Sequence, residues 1–327
     1  MANAAQIKSL LESHTSRDDA RFYATALQVA AAEARKGNQN LATDIRKLID
    51  HARGQAKTSE PIQISSPPGE LQDLLMMTMP KARLSDMVLT DTLSTRLQRI
   101  LNEQGQIEKI RSHGLDPRRK LLLSGPPGCG KTMTASVLAG ELGLPLFTVR
   151  LDGLITKFLG ETATKLRLIF ETVTKHRAVY LFDEFDAIGS QRGMAHEVGE
   201  MRRIVNSFLM LIENNIGSSL IVAATNDATA LDSALFRRFD ALLELPTPNE
   251  DLIIETLKAR LTAVKTPRLS YPKVAQAAAG MSYAEVCRVC DEAIKDMLLD
   301  NKKSMNTDRL LHSLDERRTF ISESSPK

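Results

Sequence analysis

Between residues 121 and 245, short apolar runs alternate with stretches in which apolar positions recur every three or four residues. Continuous apolar runs bounded by turn-forming residues predict strands buried on both faces, and the 3.6-residue recurrence predicts helices. The strands fall at Leu121–Ser124, Pro145–Leu151, Ala178–Phe182, Leu220–Ala224 and Ala241–Leu245. Strands alternating with helices in this way predict an α/β fold built on a largely parallel sheet. After "PTPNED" the pattern is helical to the C-terminus, with "DLIIETLKARL" and "YAEVCRVCDEAIKDML" the clearest helices.

Ahead of this region the pattern changes. Residues 4–56 predict three amphipathic helices, carrying Ile7, Leu10 and Leu11, then Phe22, Ala26, Val29 and Ala30, then Leu41, Ile45, Leu48, Ile49 and Ala52. Three such helices make a small bundle. The Ser-, Pro- and Gly-rich stretch 54–70 reads as a linker. The methionine-rich "LQDLLMMTMP" (71–80) reads as a short helix packed on the domain that follows. The expected organisation is a helical domain over 1–57, a linker over 58–82, an α/β subdomain over 83–247 and a helical subdomain over 248–327.

Composition narrows the class. Apolar residues make up 43% and charged residues 25% of 327, as in ordinary globular proteins. No run approaches 18 apolar residues, the N-terminus has no signal-peptide core, and three cysteines make no disulfide framework. A soluble, cytoplasmic protein is expected. The net charge of +3 resides in residues 1–57, which carry nine Lys/Arg against six Asp/Glu. That surplus falls short of the dense basic stripe of a nucleic-acid binder.

The chemistry begins where the first parallel strand ends. "GPPGCGKT" satisfies G-x-x-x-x-G-K-[ST], with Gly125, Gly130, Lys131 and Thr132 in the required places. Glycines let backbone N–H groups curl around an anion, and the following helix adds its partial positive charge. The candidate nucleotide contacts are Gly125, Pro126, Pro127, Gly128, Cys129, Gly130, Lys131, Thr132 and Met133. Lys131 can reach the terminal phosphates, and Thr132 can ligate Mg²⁺ through its hydroxyl. The expected ligands are therefore ATP or ADP and Mg²⁺.

Two more strands end in polar residues. "AVYLFDEFDAIG" (178–189) offers Asp183 as a second Mg²⁺ holder and Glu184 as the base that polarises an attacking water. "LIVAATN" (220–226) ends in Asn226, suited to sensing a γ-phosphate or orienting that water. "LDSALFRRFD" (231–240) offers the adjacent Arg237 and Arg238, whose guanidinium groups suit the charge on a transferring phosphoryl group.

Together these motifs resemble those of AAA+ ATPases, in the clade of the membrane-anchored AAA proteases and the katanin- and spastin-like severing enzymes. The resemblance spans roughly residues 83–320. It implies an AAA+ P-loop module, with a five-stranded parallel sheet flanked by helices and a C-terminal helical lid. It also implies a ring, usually a hexamer, in which Arg237 and Arg238 act on a neighbour's nucleotide. Family members often separate those arginines by Pro-Gly, so which is the principal finger stays open. "GMSYAEV" (280–286) aligns with the second-sensor region, where Ala284 fits the clade and Gly280 would lie near the adenine. "LDGLITKFLGETATKLRLIFE" (151–171) resembles the first pore loop, placing Phe158 in the channel with Lys157 beside it. "RGMAHEVGEMRR" (192–203) would carry a second pore loop, then Arg202 and Arg203 near the subunit interface.

Other readings fail on residue type. "HEVGE" (196–200) has Glu200 where HExxH needs its second histidine, and Cys287 and Cys290 lack two further zinc ligands. The leading expectation is thus an ATP-driven ring that remodels a protein substrate, recruited as substrate or adaptor by residues 1–57. With no hydrolase motif present, a separately encoded protease is among the partners this reading allows. The alternative is a nucleotide-regulated switch or scaffold that sequesters or releases a partner. A nucleic-acid motor is disfavoured by the weak basic balance.

Overall fold

The computed structural model describes residues 71, 74–149, 151, 162–186, 195–231 and 236–324, the backbone alone over 195–203, and Thr25, Ala26, Val29, Ala30 and Asn38. The chain divides into two compact units, Met1–Ser65 and Ser66–Lys327. In the first, Thr25, Ala26, Val29 and Ala30 are helical and Val29 and Ala30 are buried. The rest of the expected three-helix bundle lies outside the described residues.

The second unit is built on a six-stranded sheet: β1 (Leu75–Thr78), β2 (Lys120–Ser124), β3 (Leu146–Val149), β4 (Val179–Phe182), β5 (Leu220–Thr225) and β6 (Ala241–Glu244), in the spatial order β1-β3-β4-β5-β2-β6. The five strands read from the sequence are all present, and every pairing among them is parallel. Their apolar runs are continuous because helices cover both faces. Leu121 and Leu123 join one buried cluster with Leu97, Leu138 and Leu181, while Leu122 joins the other with Phe170, Tyr180, Phe182 and Phe208.

The first face is covered by α1 (Asp91–Gly105) and α3 (Lys131–Leu142), with α2 (Ile107–Ser112) between them in sequence. The second is covered by α4 (Thr162–Lys175) and α5 (Ala195–Asn214). Residue Gly143 ends α3 in the left-handed conformation, φ 63°, as a C-terminal glycine does.

One expectation is overturned. Within the stretch 71–80, Leu75–Thr78 is not helical but forms the edge strand β1, antiparallel to β3, with Leu75 opposite Val149 and Thr78 opposite Leu146. Leu71, Leu74 and Leu75 enter the core while Met76 and Met79 face out. Pairing with β3 satisfies backbone groups that a helix would have satisfied internally, so tertiary context decides the conformation.

The lid comprises α6 (Glu250–Arg260), β7 (Lys265–Arg268), α7 (Tyr271–Ala277), α8 (Tyr283–Leu299), β8 (Ser304–Asn306) and α9 (Thr307–Ser324). Its helices bury a separate cluster that includes Ile253, Leu257, Val286, Val289, Cys290, Leu310 and Leu314. The parallel pair β7 and β8 is a small addition the sequence pattern did not predict. Cys290 packs inside this core, where burial pushes its thiol up to about 12.

Candidate nucleotide site

The end of β2 opens into a loop whose glycines adopt conformations that other residues avoid. Gly125, Gly128 and Gly130 have φ of 150°, 76° and 94°. At Gly125 a Cβ would stand 2.1 Å from the Leu245 carbonyl oxygen, and at Gly128 it would stand 2.5 Å from Ser282 Oγ. The loop is thus closed in by strand β6 on one side and by the lid on the other. The bridge to the lid includes a hydrogen bond: Ala284 N–H donates to the Gly128 carbonyl at 3.1 Å.

Lys131, the first residue of α3, is buried, and its Nζ donates to the Gly125 and Pro126 carbonyls at 2.7 and 2.9 Å. Burial lowers its pKa, opposed in part by Cys129, Asp183 and Asp186. The thiol of Cys129 is buried too, and burial raises its pKa, which suits a small packing residue better than a nucleophile.

Thr132 Oγ1 donates to Asp183 Oδ2 at 2.8 Å, joining the start of α3 to the end of β4. These are hard oxygen donors side by side, the type of ligand Mg²⁺ selects. The next residue, Glu184, sits at φ 52°, unusual for a side chain with a Cβ. Three contacts hold it there. Its N–H donates to Asp183 Oδ1 at 2.9 Å, the Phe185 N–H donates to the Ala224 carbonyl at 2.8 Å, and the Phe185 ring is fully buried. Strain of this kind is concentrated at functional positions.

Asp186 is a residue the sequence reading passed over. Its Oδ1 accepts from the Asn226 N–H and from Thr225 Oγ1, each at 3.2 Å. It therefore fixes the strand-end asparagine against the loop that carries Asp183 and Glu184. Also unforeseen is the segment before α1, where Arg83 Nη1 donates to the Gly140 carbonyl at 2.8 Å and Met87 lies against Gly130.

The structure thus gathers Gly125, Gly128, Gly130, Lys131, Thr132, Asp183, Glu184, Asn226 and Ala284 at the C-terminal edge of the strands or on the lid beside it. Pro126, Pro127, Cys129 and Met133 belong to the same loop and helix start. Gly280 is exposed, with φ 84°. Arg237 and Arg238 lie elsewhere, just before β6, where the sheet begins. Lys157 and Phe158 lie outside the described residues, as does the start of the second pore-loop stretch. Arg202 and Arg203 fall within α5.

Comparison with known proteins agrees with this geometry. Residues 121–247 match the family model described as "ATPase family associated with various cellular activities (AAA)". An uncharacterized AAA family ATPase of Sinorhizobium fredii is 38% identical over 311 residues, covering 93% of this chain and 92% of its own length. The chain belongs to the AAA ATPase family. A proteasome-activating nucleotidase of Sulfurisphaera tokodaii is 34% identical over 218 residues, 64% of this chain and 55% of the relative. An ATP-dependent zinc metalloprotease FtsH of Helicobacter pylori is 30% identical over 258 residues, 76% of this chain and 41% of the relative. The chain therefore spans about half of these last two or less. Among the described residues, no helix is long and apolar enough to cross a membrane.

Proposed function

We propose that this protein hydrolyses ATP as a ring of identical subunits, a hexamer by family resemblance, and uses the energy to remodel a protein substrate. The observation that carries the reading is the separation of the two halves of the reaction centre. The phosphate loop leaves β2 at Gly125, whereas the arginine segment enters the sheet beside Lys120, with Asp240 N–H donating to the Lys120 carbonyl at 2.7 Å. Five residues of extended chain, about 16 Å, lie between these levels. An arginine side chain does not bridge that span, so an arginine serving this chemistry is best supplied by a second copy.

Within one subunit the roles follow from the donors. The loop amides and Lys131 cradle the phosphates; Glu184 takes the proton of the attacking water; Asn226 orients that water. Thr132 and Asp183 are the residues that would hold Mg²⁺, and the ion, when bound, supplies positive charge against the phosphate oxygens. A protein substrate is favoured over a nucleic acid by the relatives, since an ATP-dependent metalloprotease and a nucleotidase that activates a proteasome both tie nucleotide to proteolysis. Recruitment falls to residues 1–57 and gripping to Phe158, whose aromatic ring contacts an arbitrary polypeptide without needing a particular sequence.

Three variants of the full chain test this. Lys131→Ala is expected to lose ATP binding, measured by titration with a fluorescent nucleotide. Glu184→Gln is expected to bind ATP and lower phosphate release by roughly 10²–10⁴-fold. Phe158→Ala is expected to keep basal hydrolysis and lose stimulation by an unfolded polypeptide. A Phe158→Ala protein that is stimulated and remodels like the wild type would rule out threading and leave a regulatory switch.

A further inference from the structure

We propose that Arg317 and Arg318, consecutive residues of α9, are positioning residues for the nucleotide site, clamping the turn that the lid sets against the phosphate loop. This rests on the nucleotide site proposed above and extends it to the last helix of the chain.

The turn between α7 and α8 meets the loop at Gly128. Ala284 N–H donates to the Gly128 carbonyl, and Ser282 Oγ fills the space that a Cβ at Gly128 would need. Ala284 is the second residue of α8, so its N–H is one of the donors that a helix start leaves without an internal partner. The Glu285 N–H, next along, donates to Ser282 Oγ at 3.3 Å. The first turn of α8 is thus capped partly by its own serine and partly by the phosphate loop.

Local sequence favours a different use of Glu285. Ser282 and Glu285 have the S-x-x-E spacing of a capping box, in which the glutamate returns to the serine N–H. In the structure both carboxylate oxygens face Arg317, 32 positions on: its Nε donates to Oε2, and its Nη2 donates to Oε1 at 3.3 Å. A forked bond of this kind fixes the plane of a carboxylate as well as its place. The two side chains are only 12% and 22% exposed, and the Arg317 bond holds the Glu285 carboxyl below its ordinary value. Arg317 also lies over the Phe320 ring at 4.8 Å, and Arg288 stands 3.7 Å from Glu285 Oε1.

The adjacent arginine holds the other end of the turn. Arg318 Nη2 donates to the Ala279 carbonyl at 3.4 Å, just ahead of Gly280. Between these anchors Met281 is buried in the lid core, where Leu310 and Leu314 seat α9. Residues 279–285 are therefore gripped at both ends by one helix, and Ser282 and Ala284 lie inside the gripped stretch. Apolar packing joins α8 to α9 without preferring a direction. The forked bond sets which way the start of α8 points.

The test is a double-mutant cycle on the full chain, read by calorimetric titration with ADP, with the melting temperature of the nucleotide-free protein measured alongside. Arg317→Gln is expected to weaken ADP binding by about tenfold, and Arg318→Gln, whose bond is long and exposed, by about twofold. Arg317→Lys keeps the charge but loses the fork, and should fall between Arg317→Gln and the wild type. Gly128→Ala disturbs the loop side of the same contact. Combined with Arg317→Gln, it is expected to weaken binding well short of the product of the two single effects. A purely structural pair would lower the melting temperature and leave the ADP affinity of the folded protein unchanged, or its effect would multiply fully with that of Gly128→Ala. Either result overturns the assignment. If Arg317→Gln does not fold, Arg317→Lys carries the same cycle with the same two outcomes. Failure of the wild-type protein to bind ADP would instead overturn the nucleotide reading itself.

Discussion

The two ends of the parallel sheet handle charge in opposite ways. At the C-terminal edge, Lys131 rests on two backbone carbonyls, Glu184 is held in a left-handed conformation and three glycines take positive φ. At the N-terminal edge, Arg119, Asn215, Glu213, Arg238 and Asp240 close on one another and on backbone carbonyls. One edge is shaped around a ligand's charge; the other satisfies itself. Within one subunit the contrast teaches that the nucleotide site and the charge network securing the strand starts lie at different ends of the same strands, which is the usual placement of ligand sites in parallel sheets.

Substitutions at the two ends should therefore fail differently. The largest effect is expected at the self-satisfied end. Arg119→Met removes three hydrogen bonds, among them the one to the carbonyl of the buried Asn215, which should cost about 2–4 kcal/mol of stability. Urea unfolding measures this, and ATP affinity of the folded fraction should stay near wild type. A stable Arg119→Met protein with impaired ATP binding would break the comparison.

At the ligand end the sign is reversed. Asp186→Ala frees Asn226 and Thr225 from the loop carrying Glu184, and misplacement of this kind should lower kcat by roughly 10–100-fold with little change in melting temperature or nucleotide affinity. Asp186→Asn keeps an acceptor at the same atom and should recover part of the loss. The smallest effect is expected where the lid meets the loop. Gly128→Ala puts a methyl group against Ser282 in a conformation that disfavours it, and should weaken ATP binding by about tenfold, read by isothermal titration.

Much of this molecule could be read from its residues. The five parallel strands were legible because burial on both faces leaves no polar position to blur the run, and Gly143 marked the end of α3 by its freedom at positive φ. The placement of the glycine-rich loop, Asp183, Glu184 and Asn226 at one edge of the sheet was legible because each follows such a strand directly. What could not be read depends on partners distant in sequence. β1 is four residues long and becomes a strand only by pairing with β3, far along the chain, which no local pattern encodes.

 In plain terms, Leu75 meets Val149 and Thr78 meets Leu146, so the strand exists only once β3 is in place. The role of Asp186 depends on which way the third acid of "DEFD" turns, and that follows from the burial of Phe185 beside it. The pairing of Arg238 with Glu213 crosses from β6's approach to the end of α5, a contact that no local spacing encodes.

The hydrogen bond from Ala284 to Gly128 also makes α8 a lever. Its 17 residues extend about 25 Å from the tether at the phosphate loop to Leu299. A tilt of about 5° at the tethered end would carry the far end roughly 2 Å, by the arithmetic of a rod of that length. Leu298 and Leu299, at that far end, are exposed. A sub-ångström adjustment of the loop around a phosphate would thus be written at larger scale on the outer surface of the lid, where a spin label at the exposed Leu299 position could read it as a distance.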